Sequence, residues 1–574
     1  MIFLSAQPDS EYFVWQLKIQ LYNFRKFSID PDTIHILIGY NREKGIHPNV
    51  AQLAVDYKEY ARFFFYPDTR ISARYLSSIR PNIIKQHFAV YPQLESEIIF
   101  YHDSDIVFTE SLPDFDRLCK DDIWYVSNAK EYLNTRYIRQ FGEDILDNMC
   151  RIMNIDKSVV VGNDENAGGA QYLLKKVDYN FWQQLEDDSE AIYIYLSDEV
   201  NTIKHLPPRI NGKKRNYIQA WCADMWAILW SSFKKATVVI DKELDFCWPS
   251  FHIDTWGAYK IYHNAGVLEH EQHEYFYKSK YTEYSPFYEY LNFVLPHHCN
   301  YKYVELIKEV RDTEVFDLTD VTFIIPIRID SVNRIENLRT SVGFLTRYFR
   351  TNILILEADL APKVPEDITG NKMVTYLFIE DDDPILNRTM YNNLMAEKAD
   401  TPVIVKYDAD VIIAPGQMYN SVCAIRNGRS IISYPYDGRF LDVRDPHRAF
   451  FLEDLDITML FKYMDDFTQL TFPSVGGCIV VNRQDYLAMG GDNEYFIGWG
   501  LEDKELYFRS RILNGEVHRA VGPLFHLSHA RGLNSFYTDN QAVIDSHREF
   551  LKVAEMDKAG LLTYIESWGG KNGK

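Results

Sequence analysis

Positive charge is scarce in this chain. Across 574 residues, 61 lysines and arginines stand against 82 aspartates and glutamates, a formal net charge of -21. A nucleic-acid binder needs a basic face to displace counterions from phosphates, and this balance argues against one. A small anionic ligand is still open to it, because a bound cation can supply the local positive site. Cysteine is scarce too: there are seven, an odd number, widely spaced and without a Cys-x-x-Cys pair. That pattern fits a reduced compartment rather than a disulfide framework. No apolar run approaches the roughly 18 residues of a membrane span, and MIFLSAQPDS is too short and uncharged for a signal peptide. The expectation is a cytoplasmic protein, with peripheral contact at the inner face of a membrane left open.

Aromatic residues, in contrast, are abundant: 15% of the chain, with 40 tyrosines and 35 phenylalanines. Rings at this density pack cores first and serve sugar-facing surfaces second. The length allows roughly two to four domains. Strand-like runs recur in the first half (MIFLS, IHILIGY, RFFFY, EIIFYHDSDIVF, AQYLL, ATVVID), with amphipathic stretches between most of them. The second half starts afresh with VTFIIPIR, NILILEA, MVTYLFIE, TPVIVKYDADVII, RSIISYP, GGCIVVN and EVHRAVG. Strands alternating with helices predict mainly parallel sheets covered on both faces. The polar stretch IKEVRDTEVFDLTD separates the halves and puts a boundary near residues 312–320. The expected domains are residues 1–311 and 312–574, and the tyrosine-rich segment Tyr275 to Tyr303 should pack back on the first.

Each half carries an acidic triplet after an apolar strand: Asp103-Ser104-Asp105 and Asp408-Ala409-Asp410. Alternate residues of an extended segment point the same way, so both carboxylates of a triplet can reach one cation, or a diphosphate through it. Oxygen ligands suit Mg2+ or Mn2+. Ligands of open α/β sheets bind at the C-terminal strand ends, where both triplets fall. Downstream histidines could complete a metal set in each half: His263 after Asp105, and His526 with His529 after Asp410. Arg80 and Lys85, in SIRPNIIKQHF, are candidate diphosphate partners.

The run GGDNEYFIGWGLEDKELYFR resembles the acceptor-site and catalytic segment of the β-1,4-galactosyltransferase group. Polypeptide N-acetylgalactosaminyltransferases and bacterial chondroitin polymerase have related segments. IIPIR, YDADV, GWGLED and HLSH follow in the family's order over roughly residues 320 to 535. The resemblance implies two tandem α/β domains of the glycosyltransferase A type. By position it makes Asp410 and His529 metal ligands, with His526 in the place of a methionine ligand. Asp503 takes the position of the general base of an inverting transfer, and Glu502 that of a substrate hydrogen-bonder. Trp499 would stack on a pyranose, with Gly498 and Gly477 on the sugar side. Pro326, Arg328, Asp330, Arg334, Asn387 and Arg388 fall at donor-site positions, beside Asp408 of the triplet. The first half is similar, more loosely, to metal-dependent glycosyltransferases with an LYLDAD strand and a late metal histidine.

The reading that follows is a bifunctional enzyme of bacterial polysaccharide synthesis, adding two sugars from nucleotide sugars, by resemblance UDP-sugars, to one glycan or glycolipid acceptor. The alternative is one active C-terminal transferase with a degenerate N-terminal acceptor-binding or scaffold domain. A sugar-nucleotide pyrophosphorylase would need a Gly-rich phosphate loop, which neither MIFLSAQPDS nor FIIPIRIDS provides. A non-enzymatic lectin would have no use for a base beside two metal sites.

Overall fold

The apolar runs become strands, and the burial of the central ones on both faces explains why they lack polar alternation. The structure, a computed structural model, describes residues 1–201, 209–210, 213–214 and 217–570. It divides into two units: Met1–Phe287 with Leu291–Asp312, and Tyr288–Tyr290 with Thr313–Lys574. Each is α/β and built on a seven-stranded sheet. Counted in chain order within its own sheet, each runs 3-2-1-4-6-5-7.

The match extends to strand direction. Strands Ile2–Pro8, Ile34–Tyr40, Arg62–Pro67 and Ile98–Tyr101 are parallel, and Gly168–Lys175 runs against its neighbours. In the second unit Phe316–Ile327, Phe349–Asp359, Val374–Glu380 and Val403–Tyr407 are parallel, and Cys478–Asn482 is the reversed strand. After the fourth strand each chain turns through its acidic triplet into a short strand of a smaller sheet, Ile106–Phe108 or Val411–Ile413. That strand pairs antiparallel with a histidine-bearing one: Ile261–His263 in the first unit, Leu524–Leu527 in the second. The tyrosine-rich segment begins as expected, with Phe276 edge-on to Trp15 at 5.7 Å and the Trp15 indole donating to Tyr281 O.

Candidate functional site

The first helix of each unit fixes its triplet. On helix Glu11–Lys26, Gln16, Gln20 and Asn23 recur at helical spacing and are buried. Gln20 Nε2 donates to Asp103 O at 2.8 Å, Gln16 Oε1 accepts from Ser104, and Asn23 exchanges two bonds with the Phe108 backbone. On helix Val332–Tyr348, Ser341 Oγ donates to Ala409 O at 2.9 Å, Asn337 Nδ2 to Leu527 O at 2.8 Å, and Arg334 pairs with Asp410 at 3.4 Å. These side chains reinforce backbone bonds that also hold the turns, Asn264 N to Asp105 O at 3.0 Å and Leu527 N to Asp410 O at 2.7 Å.

In the second unit, ligand atoms of Asp410, His526 and His529 all lie within 4.8 Å of one another. His529 Nε2 is 3.1 Å and His526 Nε2 4.0 Å from Asp410. The other ring nitrogens are spent elsewhere: His529 Nδ1 donates to Ala530 O at 2.8 Å, and His526 Nδ1 to Asp442 at 2.8 Å. A carboxylate behind a histidine fixes its tautomer and leaves Nε2 as the ligand. Two imidazole nitrogens and a carboxylate aimed at one point need a cation or a shared proton between them. The set fits a divalent metal. Burial alone would raise the Asp410 carboxyl, but the hydrogen bond from His529 and the charges of His526 and Arg334 hold it well below the usual range.

In the first unit, Asp103, Asp105 and His263 form the equivalent cluster. His263 Nε2 is 3.3 Å from Asp105 and 3.5 Å from Asp103. His263 Nδ1 is buried without a partner, and the ring is held by stacking on Trp248 and the edge of Phe246. The Lys278 ammonium hydrogen-bonds Asp105. Arg80 pairs with Asp103 at 2.8 Å and lies 3.8 Å from Asp224, which accepts from the Tyr75 hydroxyl at 2.6 Å. Burial raises the Asp224 carboxyl despite Arg80.

Glu502 and Asp503 open helix Glu502–Asn514. Burial, then the neighbouring Asp503, pushes the Glu502 carboxyl up to about 7, and its Oε2 has no partner. Arg388 hydrogen-bonds Asp408 and lies near both acids. Trp499 is 42% exposed, with Tyr537 edge-on at 5.3 Å. A Cβ on Gly498, where φ is +76°, would meet Ile385 at 2.9 Å, so the turn needs glycine.

A cavity of about 450 Å³ opens at the C-terminal ends of the first three strands of this unit, lined by Arg328, Asp330, Asp359, Asp381, Arg531 and neighbours. Asp330 joins it to the metal cluster through Arg334, 3.3 Å from Asp330 and 3.4 Å from Asp410. Arg328 spends its donors on Ala358 O, Asp383 O and Asp381, bracing the wall, and Pro326 lies half-buried in the strand beside Leu356.

Three placements differ from expectation. Lys85 turns from the triplet and pairs with Glu186 at 2.5 Å, because five residues on from Arg80 is roughly 140° round a helix. Gly477 is a packing glycine: a Cβ there would strike Phe440 at 2.8 Å and Leu524 at 3.2 Å, inside the fold. The glycine against Asp503 is Gly476, whose Cβ would fall 2.7 Å from Asp503 Oδ2. Asn387 caps helix Arg388–Lys398, accepting from Met390 N, and so aims Arg388 instead of reaching outward itself. Asp224, Lys278, Asp442 and Lys406 are site neighbours that the motifs did not single out.

Residues 465–530 match the family model described as the N-terminal domain of galactosyltransferase. This is the galactosyltransferase group that the sequence resembles. The matched stretch contains Trp499, Glu502, Asp503, His526 and His529. Among solved structures, GalNAc-T7 with UDP, GalNAc and Mn2+ aligns with 42% of this chain at 13% identity and a TM-score of 0.30. The alignment covers 48% of that chain, about half its length. The catalytic domain of Drosophila β1,4-galactosyltransferase 7 with xylobiose aligns at 17% identity over 40% of this chain and 78% of its own, with a TM-score of 0.24. A mutant of that enzyme with manganese, UDP-Gal and xylobiose aligns at 15% identity over 42% and 81%, with a TM-score of 0.27. Superpositions this loose locate no residue of the site. Among curated proteins none matches the sequence. No helix among the described residues is long and apolar enough to cross a membrane.

Proposed function

We propose that the chain is a bifunctional, metal-dependent glycosyltransferase with two A-type domains, each taking a UDP-sugar and together extending one glycan. The observation that carries this reading is the repetition of one plan: the same strand order twice, each time with an Asp-x-Asp turn and a histidine on the paired strand of the small sheet. A scaffold domain would have no reason to keep such a cluster buried and charged.

In the second domain Asp410, His526 and His529 would hold Mn2+ or Mg2+, which stabilises the diphosphate as it leaves. The nucleoside would lie in the cavity at the strand ends, as in other open α/β sheets, and Trp499 would stack on the acceptor sugar. Asp503 takes the proton of the acceptor hydroxyl. The hydroxyl oxygen forms the new bond to the anomeric carbon as the bond to the diphosphate breaks, which inverts that carbon. Glu502, with Oε2 free and titrating near neutrality, hydrogen-bonds the sugar.

In the first domain Asp103, Asp105 and His263 would hold the metal, and Arg80 and Lys278 would contact the diphosphate. The alternative of a single active C-terminal domain is favoured by one feature: among the described residues named at the first site there is no adjacent acid pair like Glu502–Asp503, and its further carboxylate, Asp224, is reached through Arg80. Screening UDP-sugar turnover by the whole chain, with and without Mn2+, tests the proposal. Turnover that needs the metal supports it, and equal rates in thoroughly chelated protein would remove it.

A further inference from the structure

Strand Val403–Tyr407, which leads into the second triplet, is buried at all five positions, and one of them is a lysine. Lys406 is 6% exposed. Burying an unpaired ammonium there would be costly. Lys406 Nζ donates to Asp492 Oδ1 at 2.7 Å and lies 3.5 Å from Asp503 Oδ1. Asp492 is itself buried, and its other oxygen accepts from Asn392 at 2.9 Å. Asp492 alone therefore neutralises the lysine.

The fold needs no more than that. An apolar pair of similar size commonly serves stability as well as a buried ion pair does. The contact with Asp503 is the part stability does not explain. Among the described residues Lys406 is the only ion-pair partner of Asp503. The other nearby cation, Arg388, is hydrogen-bonded to Asp408. A Cβ at position 476 would fall 2.7 Å from Asp503 Oδ2, so glycine there leaves the carboxylate its place.

We propose that Lys406, anchored by Asp492, is a positioning residue of the second transfer site: its ammonium holds the Asp503 carboxylate in line with the acceptor hydroxyl. This rests on the reading of Asp503 as base given above. It ties the strand carrying the triplet to the start of helix Glu502–Asn514, so that metal cluster and base move as one body.

The informative variant is the double one. Lys406→Met alone strands the Asp492 carboxylate in the core and should unfold. Lys406→Met with Asp492→Asn leaves no buried charge and keeps an acceptor for Asn392. Turnover would be measured with UDP-galactose and UDP-N-acetylgalactosamine against a panel of monosaccharide glycosides, on the pair of substrates the wild type uses best. The double variant should fold, bind UDP and Mn2+ like the wild type, and keep the donor KM. Its kcat should fall about 10²-fold, the scale of a small misplacement of a reacting group. A kcat within about threefold of wild type, less than half a power of ten in rate, would make the pair structural only and overturn the proposal. A double variant that does not fold would overturn it too, since the pair would then be required by the fold. If the wild type turns over neither donor, the enzymatic reading of the second domain fails first, an outcome visible before any variant is made.

Discussion

The two Asp–His clusters share a backbone plan but not a way of holding their histidines. In the second unit His526 is fixed by Asp442 and His529 by the Ala530 carbonyl. In the first, His263 has no hydrogen bond behind it and relies on Trp248 and Phe246. Cations differ as well. Arg80 and Arg388 each pair with the first aspartate of a triplet. The second aspartate meets Lys278, at the start of a 3-10 turn, in one unit and Arg334, on an α-helix, in the other. What stays the same is what the sheet topology sets. What varies is what a few side chains can retune, and under the proposed function those are the side chains that would tune metal affinity.

The largest separation between the two sites should come from Asp503→Asn. It keeps the shape but cannot accept a proton, so kcat of the second transfer should drop by about 10²–10⁴. UDP and Mn2+ binding should be little changed and the first transfer untouched. Loss of UDP-sugar binding as severe as in Asp410→Ala would make Asp503 a donor or metal residue.

Next is Asp442→Asn, which loosens His526 and, besides it, the exposed Arg444. Removing the carboxylate behind a ligating histidine typically costs about 10–100-fold in metal affinity. A Mn2+ titration should show one weakened site and one unchanged. Equal weakening at both would mean that the clusters are not independent.

Much of this plan was legible in the sequence, because uninterrupted apolar runs broken by amphipathic stretches leave few folds available. The triplets and their histidines could be read because metal chemistry restricts residue type. The supporting groups could not. Asp442 is a single acid inside FLDV, and nothing in that string says which histidine it will face. Lys406 was visible as a lysine within an apolar run, but its partner lies 86 residues away. In the Gly476–Gly477 pair neither position has room for a side chain, and only packing shows that Gly476 is the one beside Asp503.

A smaller effect should follow from the helix clamps. Gln20→Leu and Ser341→Ala each strip a buried side-chain bond from one triplet turn. Each should cost on the order of 1 kcal/mol of stability and slow only its own transfer. If one variant slowed both transfers, the comparison of two separate turns would need revision.

The smallest expected effect is a pH dependence confined to the second unit. The Glu502 carboxyl titrates near 7 in the fold, against an ordinary value of 4.5. Between those values the native state keeps a proton that the unfolded chain has released. That contribution is fully present below the unfolded value and is lost as pH rises through about 7. Glu502→Gln removes the titration, so the variant's Tm should gain on the wild type's as pH is raised from about 5 to about 8. A difference that stays constant over this range would mean the carboxyl is not held protonated.

The most direct test of two independent transfer sites is the product profile of Asp105→Ala and Asp410→Ala, each supplied separately with the acceptor of either transfer and with Mn2+. Each variant should lose a different product and keep the other at near wild-type rate. If both lose the same single product, the chain has one composite activity and the two-enzyme reading is contradicted.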